Sequence, residues 1–229
     1  MTATRLNPIL PLIPLSTVVL LLGAWTVREE AATYFHGGAT SVQRVAATVN
    51  LDRVAGLSIA TQQATLLDCD AALRTPNSLE MRFLPEQVRV DMVPHCRTVA
   101  DEIAASAPTT SMAWFVGARA STQLDDWSGF NDRLLRSQLT GPTEQWIAER
   151  RVALAEDNYD RLDERTRAGN ERDLRMLIGS LSGIYALTRR YLDDPTFRER
   201  ITAIVESMPE ASQARFLSVL RRQIQRSPR

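Results

Sequence analysis

The chain has 229 residues, of which 27 are basic and 27 are acidic, so its formal net charge is zero. This balance excludes a basic face of the kind that draws proteins onto nucleic acid. Every basic residue is Arg, and the absence of Lys excludes Schiff-base and P-loop lysine chemistry. A composition that is 44% hydrophobic and 24% charged is typical of a chain that buries a core.

An uncharged stretch runs from Ile9 to Val27 near the N-terminus. As a helix it would reach about 28 Å, which is enough to cross the hydrocarbon core of a bilayer. We interpret it as an uncleaved transmembrane signal anchor, with a cleaved signal peptide and a buried core helix as alternatives. This interpretation predicts a cytoplasmic tail (1–8), the anchor (9–27), a juxtamembrane linker (28–55) and a helical domain (56–226). The expected location is the bacterial inner membrane, crossed once, with the C-terminal domain in the periplasm.

The chain contains two cysteines, Cys69 and Cys96. In an oxidising compartment they would most simply pair with each other, and an antiparallel hairpin of helices 56–74 and 94–106 could bring them together. Such a bridge would stabilise the fold by roughly 3–4 kcal/mol in the chain-entropy model. Two separate buried thiols remain an alternative, as does a metal site that adds His36 and His95.

Helical periodicity, bounded by proline, glycine and capping residues, covers the rest of the chain. No window alternates apolar and polar residues, so the predicted fold class is all-α. The predicted helices cover 56–74, two pieces within 78–106 that begin near Pro85 and Pro94, a segment from Thr109 or Thr110, 127–139, 142–155, 171–192, 195–207 and 210–225, with a polar stretch at 156–170.

Pro108 and Pro142 are separated by a helix, a short turn and a second helix. With Ser111 as the first position, the residues that suit the pattern are Trp114, Ala118, Leu134, Ser137 and Pro142. This segment resembles a tetratricopeptide repeat, although Phe130 stands where a small residue is usual and Ser121 replaces an aromatic residue. The resemblance implies an antiparallel helical-repeat domain whose neighbouring segments, 56–106 and 171–225, stack on both sides.

The resemblance also implies a partner-binding groove on the first helix of each repeat. The positions that correspond to it are Met112, Phe115, Arg119, Thr122, Trp146 and Glu149. Aromatic and Arg side chains on such a face could anchor an extended peptide or a partner helix. The alternative is that Phe115 and Trp146 are core residues.

The whole layout is similar to small single-pass helical-repeat proteins associated with surface-polysaccharide polymerisation and export. The similarity lies in the N-terminal anchor, the Cys pair, the segment 142–148 and the segment 213–217. It implies a membrane-anchored scaffold that binds an envelope protein in exopolysaccharide or O-antigen assembly. An assembly factor for another inner-membrane complex shares the same features.

The sequence contains no pattern that we recognise as a catalytic, cofactor or metal site. Ser-His-Asp catalysis has only His36 and His95 to draw on. The segment 179–183 resembles a nucleophile elbow, but its central residue is Leu181 and its context is helical. We interpret the acidic pairs Asp125-Asp126 and Asp193-Asp194 as helix caps and solvated turns. We therefore predict a protein that is not an enzyme and carries no cofactor, with a glycan-acting envelope enzyme as the alternative.

Overall fold

A computed structural model describes residues 12–31, 38–51, 56 and 58–226. Within these ranges the regular structure is entirely helical, which confirms the predicted all-α class. The α-helices are α1 (Leu12–Ala31), α2 (Ser41–Thr48), α3 (Ile59–Arg74), α4 (Leu79–Phe83), α5 (Glu86–Ser106), α6 (Ser111–Gln123), α7 (Trp127–Thr140), α8 (Gln145–Asp157), α9 (Glu164–Ile178), α10 (Leu181–Asp193), α11 (Pro195–Glu206) and α12 (Glu210–Arg226).

The predicted membrane anchor is contradicted. Among the described residues, none of the helices combines the length and the apolar character needed to cross a membrane. The interpretation of 9–27 as a transmembrane span, and with it the predicted single-pass location in the inner membrane, is therefore wrong for the part of the chain that the structure describes. Residues 9–11 of that segment, and the preceding tail, lie outside the described residues.

The chain divides into two compact units, Met1–Val88 and Arg89–Arg229. In the first unit, α2 packs on α3. Thr40 caps α2 in a capping box with Gln43, which satisfies two backbone donors at the helix start. The Arg44 guanidinium donates from Nε to Asp68 Oδ2 at 2.7 Å, and this ion pair joins the two helices. A regular helix thus lies within the segment predicted as a linker.

The second unit is built from helical hairpins that follow one another along the chain. Helices α6 and α7 form the most extensive pair, and α8 and α9 form the next. Pro108 and Pro142 each precede a hairpin, and α6 and α8 both begin three residues after the proline. The arrangement is all-helical and repeat-like, and it is compatible with a tetratricopeptide-like domain.

An apolar cluster holds the C-terminal hairpins together. Its buried side chains come from α8 to α12 and include Leu177, Ile184, Phe197, Ile201 and Phe216. These residues lie at helical spacing in the sequence, so each helix turns one apolar stripe inward. The proline helix starts are confirmed here, because Asp194 caps α11 by accepting from the Phe197 N–H, and α12 begins directly after Pro209.

Several predicted helix boundaries differ from the structure. The stretch 156–170 was predicted to lie outside the helices, but α9 begins at Glu164, and the helix predicted from Pro142 begins at Gln145. Pro94 lies inside α5, so the predicted break there is absent.

The predicted long helix 171–192 is two helices, because Ser180 caps a new helix by accepting from the Gly183 N–H at 3.0 Å. A Cβ at Gly183 would come within 2.3 Å of the Leu177 carbonyl oxygen, so glycine allows α10 to begin directly against the end of α9. The segment that resembled a nucleophile elbow is this close helix–helix turn.

Candidate functional site

The predicted partner groove separates into buried and exposed positions. Met112 and Phe115 on α6 are 3% and 0% exposed, so both are core residues. Arg119 and Thr122 are half-buried. The Arg119 guanidinium lies 5.2 Å from the Phe115 ring centre, where it covers the ring as a cation–π partner. The α6 part of the groove therefore offers little apolar surface to a partner.

The α8 part of the predicted groove is on the surface. Trp146 is 38% exposed, and Glu149 is half-buried beside it. The Arg150 guanidinium lies 5.3 Å from the Trp146 ring and donates to the Trp146 carbonyl oxygen at 2.9 Å. Together with exposed Ala153, these residues recur at intervals of three and four, so they form one stripe along the helix.

Helix α10 runs beside α8 in the same direction. Gln145 Nε2 donates to Ser182 Oγ at 2.7 Å near the helix starts. Arg190 Nη2 donates to Asp157 Oδ1 at 2.7 Å near their ends. Because each contact joins residues 33 to 37 positions apart, the two helices stand in register as equivalent elements of successive hairpins.

The exposed stripe of α10 extends that of α8. We define the α8–α10 surface by its exposed or half-exposed residues, which are Trp146, Glu149, Arg150, Ala153, Leu181, Ser182, Tyr185, Ala186 and Arg189. Tyr185 is 41% exposed and Leu181 is 54% exposed. Partly exposed Trp, Tyr and Arg side chains are the residue types that contribute most to protein–protein binding.

Sequence reasoning missed the α10 half of this surface. Leu181 and Tyr185 belong to the apolar pattern of 171–192 and were predicted as part of one long helix. The available signal was Gly179-Ser180, which breaks that pattern and shifts the phase of the helix that follows. With the break recognised, Tyr185 would fall on the outer face of a separate helix.

A buried polar cluster holds α8 in its orientation. The Arg151 side chain is fully buried and makes a bidentate pair with Asp173, through Nε at 2.7 Å and Nη2 at 2.6 Å. It also donates to Ser111 Oγ, to the Ser137 carbonyl at 3.1 Å and to the Gly141 carbonyl at 3.1 Å. One side chain therefore joins α6, α7, α8 and α9, and it leaves the stripe of Trp146 facing outward.

Two opposing effects act on the charge of Asp173 in this cluster. Burial raises the pKa of the Asp173 carboxyl above its ordinary value of 3.8, and the bond to Arg151 opposes that shift. A buried ion pair loses hydration that its mutual attraction only partly restores. We therefore expect the cluster to contribute more to the orientation of α8 than to net stability.

Cys69 and Cys96 are at disulfide distance and neither is free, which confirms the predicted bridge. The alternative metal site required both thiols. Within the described residues no group of three or more His, Cys, Asp and Glu side chains is placed to hold a metal ion. His36 lies outside the described residues, and burial lowers the pKa of His95.

Comparison with known proteins found no matching family model, no similar characterised protein and no similar solved structure. The tetratricopeptide likeness therefore rests on the helical hairpins alone, and the role of the chain has to be argued from its own surfaces.

Proposed function

We propose that this chain is a non-catalytic helical-repeat adaptor that binds a partner protein on the α8–α10 surface. The observation that carries the proposal is that Trp146 and Tyr185 both lie on the exposed stripes of adjacent, parallel helices. Both rings are about two-fifths exposed, at 38% and 41%. A partly buried ring is held in place by the domain and loses little conformational freedom when a partner covers the rest of it.

The charges around the two rings favour a polypeptide partner. Glu149 and Arg150 flank Trp146, and Arg189 follows Tyr185 by one helical turn. A rim of mixed charge around an aromatic centre is the usual arrangement of a specific protein interface. The finer identification as a tetratricopeptide domain is part of this proposal. Without the contradicted anchor, the layout similarity described above rests on the Cys pair and the segments 142–148 and 213–217, and it makes a protein of surface-polysaccharide polymerisation or export the first partner to test.

Glycan hydrolysis has less support. It needs two carboxyl groups that converge on a substrate, one of them able to donate a proton. Glu156 is buried in an ion pair with Arg200, and Glu171 pairs with Arg175 at 2.6 Å. Each of these carboxylates is therefore already bound to a guanidinium.

Site-specific crosslinking tests the proposal. A photoreactive phenylalanine analogue replaces Tyr185 in one version of the full chain and the exposed Ser128 on α7 in the other. Irradiation in the native host should give a discrete crosslinked protein from position 185 and none from position 128. Equal crosslinking from both positions would contradict a defined docking surface.

A matched pair of variants then measures the contribution of the aromatic residues. The double substitution Trp146→Ala with Tyr185→Ala should weaken binding of the captured partner at least tenfold, which is about 1.4 kcal/mol. Leu139→Ala removes an exposed apolar side chain on α7 and should leave affinity unchanged. Unchanged affinity in the double variant, with its helical content intact, would refute the proposal.

A further inference from the structure

Helix α12 continues the row of parallel helices that begins with α8 and α10. Near the helix starts, Arg215 Nη1 donates to the Gly179 carbonyl oxygen, just before α10, at 2.8 Å. Near the helix ends, Gln223 of α12 and several residues of α10 line a cavity of about 400 Å³. We call this cavity the α10–α12 groove, and its α10 residues are Tyr185, Thr188, Arg189, Leu192 and Asp193. Because Tyr185 and Arg189 also belong to the α8–α10 surface, the groove extends that surface to α12.

Helix α12 is strongly basic, although the whole chain has no net charge. It contains four arginines and one acidic residue, Glu210, so its net charge is +3. The side chains of Arg215 and Arg222 are exposed. Within the ranges that the structure describes, neither of these guanidinium groups has an ion-pair partner. The charge of α12 is therefore available to a molecule outside the chain.

The basic residues of α12 lie along one edge of the groove. Arg215, Ser218 and Arg222 recur at intervals of three and four, so they form one stripe along the helix. The bond from Arg215 to the Gly179 carbonyl places this stripe on the side of α12 that faces α10. On the opposite edge, Arg189 lies 3.7 Å from Asp193 with both side chains largely in solvent, and such a pair contributes little. Positive charge therefore lines both edges of the groove.

The distribution of charge favours a polypeptide over a uniform polyanion. Glu149 lies on the α8–α10 surface and Asp193 lies in the groove, and both would repel the evenly spaced phosphates of a nucleic acid. A polypeptide can place carboxylates opposite the arginines and uncharged side chains opposite Tyr185 and Leu192. Charge complementarity of this kind increases both specificity and the rate of association.

We infer that the partner of the α8–α10 surface carries an acidic segment that binds in the α10–α12 groove, with its carboxylates toward the stripe of Arg215 and Arg222. The inference rests on the proposed adaptor function, because Tyr185 belongs to both surfaces. It adds the chemical class of the bound segment, which is a polypeptide of net negative charge with uncharged residues between its acidic ones.

Crosslinking from the groove identifies the bound segment. The photoreactive phenylalanine analogue replaces the exposed Ser218 in the full chain, and mass spectrometry of the crosslinked peptides locates the captured segment. We expect the same protein that is captured from position 185, crosslinked through a segment in which acidic residues outnumber basic ones. A neutral or basic segment, a nucleic acid or a second copy of this chain at position 218 would overturn the inference.

A matched pair of charge reversals tests whether α12 attracts that segment. Arg222→Glu on α12 and Arg165→Glu on α9 make the same change of charge at exposed positions. With the analogue at position 185, Arg222→Glu should lower the yield of crosslinked partner about fivefold or more, because like charges then face each other. Arg222→Lys keeps the charge and should keep the yield, as should Arg165→Glu. Circular dichroism checks that all three variants retain the helical content of the natural chain.

The outcomes separate this inference from the proposed function. If position 185 captures a protein and Arg222→Glu leaves its yield unchanged, or lowers it no more than Arg165→Glu does, the adaptor function stands and the acidic segment is refuted. If neither position 185 nor position 218 captures a protein, both are refuted. Capture of an acidic segment from position 218 alone would support the groove as its binding site and refute the α8–α10 surface.

Discussion

The two sides of the α8–α9 hairpin are packed by different physical means. Toward α6 and α7 the contacts include a buried, directional polar network, with Arg151 at its centre, Asn131 bonded to the Arg161 carbonyl and Gln138 bonded to the Thr166 carbonyl. Toward α10, α11 and α12 the buried contacts are mainly apolar, around Phe197 and Phe216, and polar contacts such as Gln145–Ser182 and Glu156–Arg200 supplement them. Hydrogen bonds depend on distance and angle, whereas apolar contacts depend mainly on volume. The polar side therefore specifies register, and the apolar side supplies most of the burial.

The largest effect should follow from removing the centre of the polar side. Arg151→Ala leaves the Asp173 carboxylate buried without its counter-charge and removes a donor from two backbone carbonyls. We expect the free energy of unfolding to fall by about 3–5 kcal/mol. Urea denaturation followed by circular dichroism measures the loss. The neighbouring Arg150→Ala, at the surface, should cost less than about 1 kcal/mol.

A double substitution separates the geometric role from the energetic one. Arg151→Met with Asp173→Leu replaces the ion pair by apolar groups, a change that is often neutral or stabilising relative to the intact pair. Because Arg151→Ala should cost about 3–5 kcal/mol, we expect the double variant to be more stable than Arg151→Ala by about 2 kcal/mol or more. If the double variant is as unstable as the single one, the polar side contributes stability as well as register, and the contrast between the two sides disappears.

The next effect in size concerns the partner of Arg151. Asp173→Asn keeps the shape of the side chain and removes its charge, while Arg151 keeps its bonds to Ser137 and Gly141. The substitution leaves the buried guanidinium of Arg151 without a counter-charge, but the new amide oxygen can still accept from it, so we expect a loss of about 2–3 kcal/mol. The exposed Asp132→Asn, on α7, is the control and should change the unfolding midpoint very little. A loss equal to that of Arg151→Ala would show that the charge itself is required.

On the apolar side, a change in volume should be tolerated. Ile201 is fully buried in the cluster, and Ile201→Val removes one methylene group. The expected loss is about 0.5–1.5 kcal/mol, measured by the same denaturation experiment. Ile224→Val at a position 53% exposed should have almost no effect. A cost above about 3 kcal/mol at position 201 would mean that the apolar side is as demanding in its geometry as the polar side.

The smallest effect is a dependence on pH. The pKa of Asp173 is raised in the folded state above its ordinary value of 3.8. The stability contributed by this group is therefore complete below its unfolded pKa and is lost as the pH rises through the folded value. The difference in stability between the natural chain and Asp173→Asn should be larger at pH about 4 than at pH about 7. If the stability difference between the natural chain and Asp173→Asn instead grew as the pH rises, the pKa of Asp173 would be lowered, not raised, in the folded state.

Local signals in the sequence were sufficient for most of the helices. Pro195 is the first residue of α11 and Pro209 directly precedes α12, which confirms both predicted helix starts. Proline suits these positions because its fixed φ and missing N–H are compatible with the start of a helix. Pro108 and Pro142 mark the connections before α6 and α8, each of which begins three residues later. Pro94 is the exception, since α5 continues through it. Its neighbours Met92 and Cys96 are fully buried, and tertiary packing of that kind can offset the backbone bond that proline removes.

The candidate surface was only partly predictable. Trp146 and Glu149 lie on the surface, whereas Met112 and Phe115 are buried. All four suit the same repeat pattern, so the sequence could not distinguish them. Their difference arises because α6 is buried over most of its circumference, while α8 has a free stripe.

The chain's own sequence determined the helical class, most helix starts and the pairing of its two cysteines. These properties depend on local backbone preferences and on the small number of thiols. The tertiary structure decided the division of 171–192 into two helices and the joining of four helices by Arg151. It also contradicted the predicted membrane anchor. Such features depend on which faces of distant segments meet, and residue spacing within one segment does not contain that information.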